Sequence, residues 1–314
     1  MPPVDRNNPK RAASSESKWS LMEFQRTFPD DATCLDWLWR TRYSEDGTHA
    51  ECPKCEQVRV FKKYEIKNRG TSWTCTGCGQ HVHPTAGTIF HKSSTSLHLW
   101  FYAMYLMTST RCGISAKQLE RELGVTYKTA WRMFNLIRNE LMSQDDDEPL
   151  SGEVEADEMW WGGRPRLKDK RQPGYSGAAF RERKATVFGA VERGGRVRAT
   201  VGRHRTDAWS HVERHVLPAT TIYTDEYRPY MSLRGRYNHK RINHTEAVYV
   251  SGDVHTQTIE GFWSLVKNGL HGVYHSVSAK WLQGYLNEYA WRYNHREDGR
   301  AQFLSLLLRA AAPS

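Results

Sequence analysis

The 314-residue chain reads as an α/β protein, a mixed sheet with flanking helices preceded by a small cysteine-bearing module and a helical hairpin. Three observations carry that reading. Four cysteines stand as two C-x2-C pairs in the first hundred residues. The hydrophobic period changes from helical to alternating just after residue 150. From there, short β-branched runs alternate with helix-like runs before a helical close.

The N-terminal stretch "MPPVDRNNPKRAASSESK" has no apolar core, so residues 1–19 are expected as a disordered leader rather than a signal peptide. "LMEFQRTF" and "CLDWLWRTRY" give an apolar-periodic helical entry. Cys52, Cys55, Cys75 and Cys78 follow, with nineteen residues between the pairs, the spacing of a zinc ribbon. Each pair can sit on a tight knuckle and turn two thiolates toward one tetrahedral ion. Short strands at Val58–Tyr64 and Thr71–Thr74 would flank the knuckles. His81 and His83 lie close enough to substitute as ligands, and Cys34 and Cys112 read as ordinary buried thiols. This module is assigned to residues 20–92.

"SLHLWFYAMYLMTS" is a buried helix whose apolar run, at 97–107, is too short to span a bilayer. The chain is therefore expected to be soluble and cytoplasmic. "SAKQLERELGVTYKTAWRMFNLIRNELM" has helix-turn-helix grammar. A helix opening at Ser115 buries Leu119 and Leu123, and Gly124 breaks it. Thr126 then starts a second helix with Ala130, Phe134 and Ile137 on one face. Lys128 and Arg132 stand near the start of that second helix, where base and phosphate contacts are made. Residues 93–143 form this helical region, and the acidic "SQDDDEPLSG" marks a linker at 144–152.

In residues 153–314, "GEVEADEMWW" alternates as a half-buried strand, with Val154 and Ala156 on one face and Glu155 and Asp157 on the other. "ATVFGAVE", "RGGR" and "VRATVG" make a hairpin. A helix at Asp207–Val216 leads to the strand "TTIYTDEYRPY", and "TEAVYV" supplies another strand. A helix carrying Glu260 comes next. "SAKWLQGYLNEYAWRYN" then has Trp281, Leu282, Tyr285, Leu286 and Tyr289 as its core stripe, and "AQFLSLLLRAAA" closes the chain. Three strands, a helix, two strands and closing helices is the order of an RNase H-like domain.

In that fold one acid sits near the centre of the first strand, a second ends the fourth strand, and a late helix offers a third. Asp157, Asp225 and Glu260 occupy those places. Phosphoryl transfer on DNA uses two divalent cations roughly 3.5–4 Å apart, and hard carboxylate oxygens suit magnesium or manganese. Glu260 lies between apolar neighbours that would bury its helix against the sheet. Lys267, seven residues on, shares its face and could hold a DNA phosphate. Glu155, Glu158, Glu226, Glu246 and Asp253 are competing acids.

The net charge of +10 is concentrated. Trp160 to His215 holds fourteen Lys/Arg against five Asp/Glu, the electrostatic footprint of a polyanion partner. Within it, Arg164, Arg166, Lys168, Lys170 and Arg171 form a basic loop expected to contact DNA.

Together these motifs resemble the zinc-ribbon branch of bacterial insertion-sequence transposases with a DDE catalytic domain, the ISXO-like group. The resemblance runs from about Phe28 to Arg296. It rests on "FPDDATCLDWLW", the cysteine pairs, "TAGTIFHKS", "GISAKQLERELGVTYKTAWRMF", "EVEADE", "VFGAVERGG", "YTDEYRPY" and "HTQTIEGFWSLVKNGLHGVYHSVSAKWLQGYLNEYAWRYN". The 34 residues between Asp225 and Glu260 are similar to the spacing of the second and third acids in such enzymes. The resemblance implies a metal-dependent enzyme that nicks transposon ends and joins the freed 3′-hydroxyl to target DNA. It also implies double-stranded DNA as partner, a homodimer or higher oligomer on that DNA, and a nucleoid-associated location. Two other classes share the fold: an inactive or domesticated sequence-specific DNA-binding protein, and an RNase H-like nuclease without strand transfer.

Overall fold

The computed structural model describes residues 19–66, 70–110, 112–143, 148–162, 184–202, 204, 207–225, 228–241, 255–297 and 301–312. It divides into two compact units, Met1–Leu141 with Arg296–Ser314, and Met142–His295. The C-terminal helix, grouped by sequence with the catalytic segment, thus belongs to the first unit, where it packs on the second and third helices.

In the first unit, α1 (Leu21–Thr27) begins at a reciprocal cap. Ser20 accepts from the Glu23 N–H, and Glu23 accepts from the Ser20 N–H. Asp30 caps α2 (Asp31–Arg42) by accepting from the Thr33 N–H at 2.8 Å. A four-stranded antiparallel sheet follows in the order β1 (His49–Glu51), β2 (Val58–Ile66), β3 (Gly70–Cys75), β4 (His81–Val82). Trp39 of α2 stacks on Trp73 of β3 with ring centroids 5.0 Å apart, and both are buried beside Phe61, Cys52 and Cys75. The apolar run at 97–107 is the buried α3 (Leu97–Ser109).

The helical hairpin takes the expected form. Ser115 caps α4 (Ala116–Leu123) and Thr126 caps α5 (Tyr127–Leu136), each accepting from a backbone N–H three residues on. Gly124 between them sits at φ +63°, the left-handed conformation that glycine adopts without steric cost. Leu119, Leu123, Ala130, Phe134 and Ile137 are buried. Cys34 is buried, with its thiol pushed up to about 12 by desolvation and the nearby Asp31 and Asp30. Cys112, expected to be buried, is exposed because it follows the end of α3 in a turn that Gly113 continues at φ +91°.

The second unit is built on a five-stranded mixed sheet. Its strands are β5 (Glu153–Trp161), β6 (Ala185–Glu192), β7 (Val197–Gly202), β8 (Thr221–Thr224) and β9 (Asn238–Arg241), in the order β7-β6-β5-β8-β9. The first three run antiparallel as hairpins, whereas β5-β8 and β8-β9 are parallel. The helix α6 (Asp207–His215) makes the crossover between β7 and β8, and it packs on β6 and β7. Val154, Ala156, Phe188, Ala190 and Ile222 meet Ala208 and Val212 of α6 and Tyr230 and Leu233 of a 3-10 helix on one face. On the other face lie α7 (Gln257–Gly269), against β5 and β6, and α8 (Leu282–Asn294), against β7. The remaining helix, α9 (Gln302–Ala311), is the C-terminal helix of the first unit.

Two local expectations change. The strand beside β8 is Asn238–Arg241, while the run at 245–250 lies outside the described residues. Trp281 is 39% exposed rather than core, because it closes a 3-10 turn before α8 and so falls off the helical stripe. Leu282, Tyr285, Leu286 and Tyr289 are buried as the stripe requires. Among the described residues no helix is long and apolar enough to cross a membrane.

Candidate functional sites

The cysteines occupy two equivalent knuckles. In the first, the Cys52 N–H donates to Gln57 O and the Glu56 N–H returns to Cys52 O at 2.8 Å. In the second, the Cys75 N–H donates to Gln80 O and the Gly79 N–H returns to Cys75 O at 3.0 Å. The residue after each pair, Glu56 or Gly79, takes a positive φ to close the turn. All four sulfurs lie within 4.8 Å of one another, none in a disulfide. Burial opposes the Cys52 thiolate. The N–H groups of Cys55 and Lys54 and the thiols of Cys78 and Cys55 nevertheless draw its pKa down to about 6. At Cys78 the Gln80 N–H favours the thiolate, but burial and the neighbouring sulfurs outweigh it and lift the group to about 11. One site that wants a thiolate among crowded sulfurs is a donor set able to hold one tetrahedral metal ion. His81 is engaged elsewhere, its Nδ1 lying 2.9 Å from Thr74 Oγ1 and 3.3 Å from Ser72 Oγ.

The second site lies in the other unit, where β5 and β8 run parallel. Glu155 is level with Tyr223, so two residues further along both strands Asp157 and Asp225 stand side by side. Carboxylate oxygens of Asp157, Glu158 and Asp225 lie within 4.8 Å of one another. Asp157 is held at about 6, chiefly by burial and then by the charge of Asp225. Hydrogen bonds from the Glu158 N–H and the Trp263 indole pull it down, and the charge of Glu260 adds to the rise. Glu158, 8% exposed, is pushed up to about 9 by burial and by the charges of Asp225 and Asp157, against a hydrogen bond from Tyr230. Its Oε2 has no hydrogen-bond partner. Three crowded carboxylates, two of them resisting ionisation, suit a hard divalent cation as neutralising partner.

Glu260 sits outside that tight group, exposed on the first turn of α7, with Thr256 Oγ1 donating to its Oε1 at 3.1 Å. Ile259, Phe262, Trp263 and Val266 are buried and fasten the helix to the sheet. Trp263 does more than pack. Its indole N–H donates to Asp157 Oδ2 at 3.0 Å. Space for that ring comes from Gly189, the residue paired with Asp157 across β5 and β6. A Cβ there would stand 2.5 Å from Trp263 Cζ2.

Lys128 and Arg132 are exposed one turn apart on α5, and Lys267 is exposed on α7. Arg164, Arg166, Lys168, Lys170 and Arg171 lie outside the described residues, as do Glu226, Glu246 and Asp253. Sequence reasoning passed over Trp263 and Gly189 and treated Glu155 and Glu158 only as competitors of Asp157. The alternation of β5 could have marked Glu155, since a charged residue on the face of Asp157 must be buried beneath whatever helix covers that acid.

Residues 149–294 match the family model described as the ISXO2-like transposase domain. A Halobacterium salinarum protein, described as an uncharacterized protein in transposable element ISH50, is 30% identical over 287 residues. That alignment covers 85% of this chain and 92% of the relative. No solved structure matches the chain. The parallel strands with their paired aspartates fall inside the matched segment. The chain belongs to the ISXO2-like transposase family.

Proposed function

We propose that the chain is a DNA transposase that binds the terminal inverted repeats of an insertion sequence, cleaves at their ends and joins them to target DNA. The observation that supports this reading best is the close approach of Asp157, in the middle of β5, and Asp225, just past the end of the parallel β8, with Glu260 near enough for its charge to raise Asp157. The second unit is read as an RNase H-like catalytic domain. In it Asp157 and Asp225 would hold divalent cations from the sheet, and Glu260 would add the third carboxylate from α7. When bound, a pair of divalent cations (magnesium or manganese) activates the attacking oxygen and stabilises the leaving one. Trp263 fixes Asp157 by donating its indole N–H to Oδ2. Lys267 is read as a phosphate contact beside the acids.

In the first unit, Cys52, Cys55, Cys75 and Cys78 are read as ligands of one structural zinc ion, and the α4–α5 hairpin as a helix-turn-helix. Lys128 and Arg132 meet DNA there, and the basic loop at 164–171 supplies sequence-independent phosphate contacts.

The test is strand transfer of a labelled terminal-repeat oligonucleotide into plasmid, with a gel shift for binding. Glu260→Gln, Asp157→Asn and Asp225→Asn should each bind the repeat normally yet join strands at a rate lower by orders of magnitude, since ligands of one cluster act as a unit. Partial rescue by manganese is expected. Glu246→Gln and Asp253→Asn should stay active. Wild-type joining by Glu260→Gln, with loss in Glu246→Gln or Asp253→Asn, would assign the third acid elsewhere.

A further inference from the structure

The helix that carries Glu260 lacks a cap of its own. Its N-cap residue, Thr256, makes no side-chain hydrogen bond to the backbone and points its hydroxyl at Glu260 instead. The first N–H groups of a helix need acceptors, and a cap side chain normally accepts from the N–H of the second or third helical residue. Here they are Thr258 and Ile259, and both donate to Glu155 Oε2, at 2.7 and 3.1 Å. The Thr258 hydroxyl adds a bond to Oε1 at 2.9 Å. Glu155 is fully buried on β5, two residues before Asp157 and on the same face.

A buried carboxylate persists only where it is paired. Arg193 supplies the pair, with Nε 2.9 Å from Glu155 Oε1. The same guanidinium donates from Nη2 to His255 O at 3.0 Å, just upstream of α7, and lies over the Tyr223 ring at 4.0 Å. His255 Nδ1 is 3.2 Å from Glu155 Oε1 but is not directed at it as a hydrogen bond. One side chain thus ties the strand of Asp157, the hairpin of Arg193 and the start of α7 together.

We propose that Glu155 is a positioning residue. It serves in trans as the N-terminal cap of α7, and so holds Glu260 in register with Asp157 and Asp225. This rests on the reading of Glu260 as the third acid. Glu260 follows directly on Ile259, whose N–H Glu155 holds, so rotation or fraying of this first turn moves the Glu260 carboxylate before it moves the buried face behind it. The negative charge also suits the positive end of the helix.

The experiment uses the full chain with Glu155→Gln, which keeps the shape but loses the charge and one acceptor, and with Thr258→Val, which removes only the hydroxyl bond. Three readouts are taken: terminal-repeat binding, strand transfer as a function of magnesium concentration, and amide hydrogen exchange over α7 and β6. In Glu155→Gln, binding and β6 protection should match wild type. Exchange at the start of α7 should rise, and the magnesium needed for half-maximal joining should increase, each by roughly tenfold, as for the loss of one bond to a charged group. Thr258→Val should move both in the same direction by a smaller factor and keeps the test decisive if Glu155→Gln does not fold. An unchanged magnesium requirement in Thr258→Val or in a folded Glu155→Gln overturns the proposal, as does unchanged protection of α7. Glu260→Gln is run alongside. If it joins strands normally, the third-acid reading fails. If it is inactive while Glu155→Gln is normal, only the positioning role fails.

Discussion

Adding one methyl group at Gly189 should disturb the acid site without touching any acid. Gly189 faces Asp157 across the β5–β6 ladder, and the Trp263 ring occupies the space a side chain would fill. An alanine Cβ would meet Trp263 Cζ2 at 2.5 Å, Cη2 at 2.7 Å and Ile259 Cδ1 at 3.0 Å. Carbon atoms in contact settle at roughly 3.5–4.0 Å, so the ring and the helix behind it must retreat by about 1 Å. Overpacking of this kind costs about 1–3 kcal/mol, against which alanine in a strand recovers about 0.5–1 kcal/mol relative to glycine. Gly189→Ala should therefore leave the second unit less stable by up to about 2.5 kcal/mol in urea unfolding. The larger effect falls on strand transfer, because a retreating indole releases Asp157 Oδ2 and α7 takes Glu260 with it. A loss of roughly tenfold or more is expected, the weight of one hydrogen bond to a charged group. Trp263→Phe supplies the cross-check, since a smaller ring vacates the space and the double variant should be more stable than the sum of its parts implies. Additivity of the two changes within about 0.5 kcal/mol would refute the argument, as would wild-type joining by Gly189→Ala.

Two further outcomes follow from the same geometry. Cys75→Ser should destabilise the first unit and weaken DNA binding while β5 and β6 keep their hydrogen-exchange protection, because a structural metal site contributes folding energy locally. Purified protein without zinc, with its cysteines in disulfides, would contradict this. The pH dependence concerns the acids. Asp157 and Glu158 titrate at about 6 and about 9 in the fold, above their ordinary values, so the folded protein holds protons that the unfolded chain gives up. A raised acid costs nothing below its unfolded pKa, and the cost grows as pH climbs toward the folded value. In magnesium-free buffer, thermal stability should thus fall from about pH 4, where the unfolded acids begin to ionise, up to about pH 9. Glu158→Gln, which cannot ionise, should melt at least a few degrees higher than wild type at pH 9, a difference that shrinks as pH falls and vanishes below the ordinary glutamate range. An identical pH dependence in the two proteins would show that Glu158 is not strained by its neighbours.

Much of this architecture is local and therefore legible in the sequence. The two cysteine knuckles follow from paired C-x2-C spacing, and the α4–α5 hairpin from Ser115, Gly124 and Thr126, each acting through backbone groups a few residues away. The alternation of β5 put Glu155 and Asp157 on one face, and the apolar run around Glu260 marked a helix pressed to a sheet. What only the tertiary structure decided is which distant groups meet. Whether Glu155 is a surface acid or a buried cap depends on Thr258 and Ile259, more than a hundred residues away. Gly189 matters because Trp263 lands on it, and Glu158 because β8 brings Asp225 beside it. Trp281 lost its place in the core to a 3-10 turn that helical periodicity does not register. Periodicity reports which side of an element is buried, whereas the partner that buries it is set by strand order and crossover. In this chain that partner turns an acid into a cap, a paired aspartate or a strained proton holder.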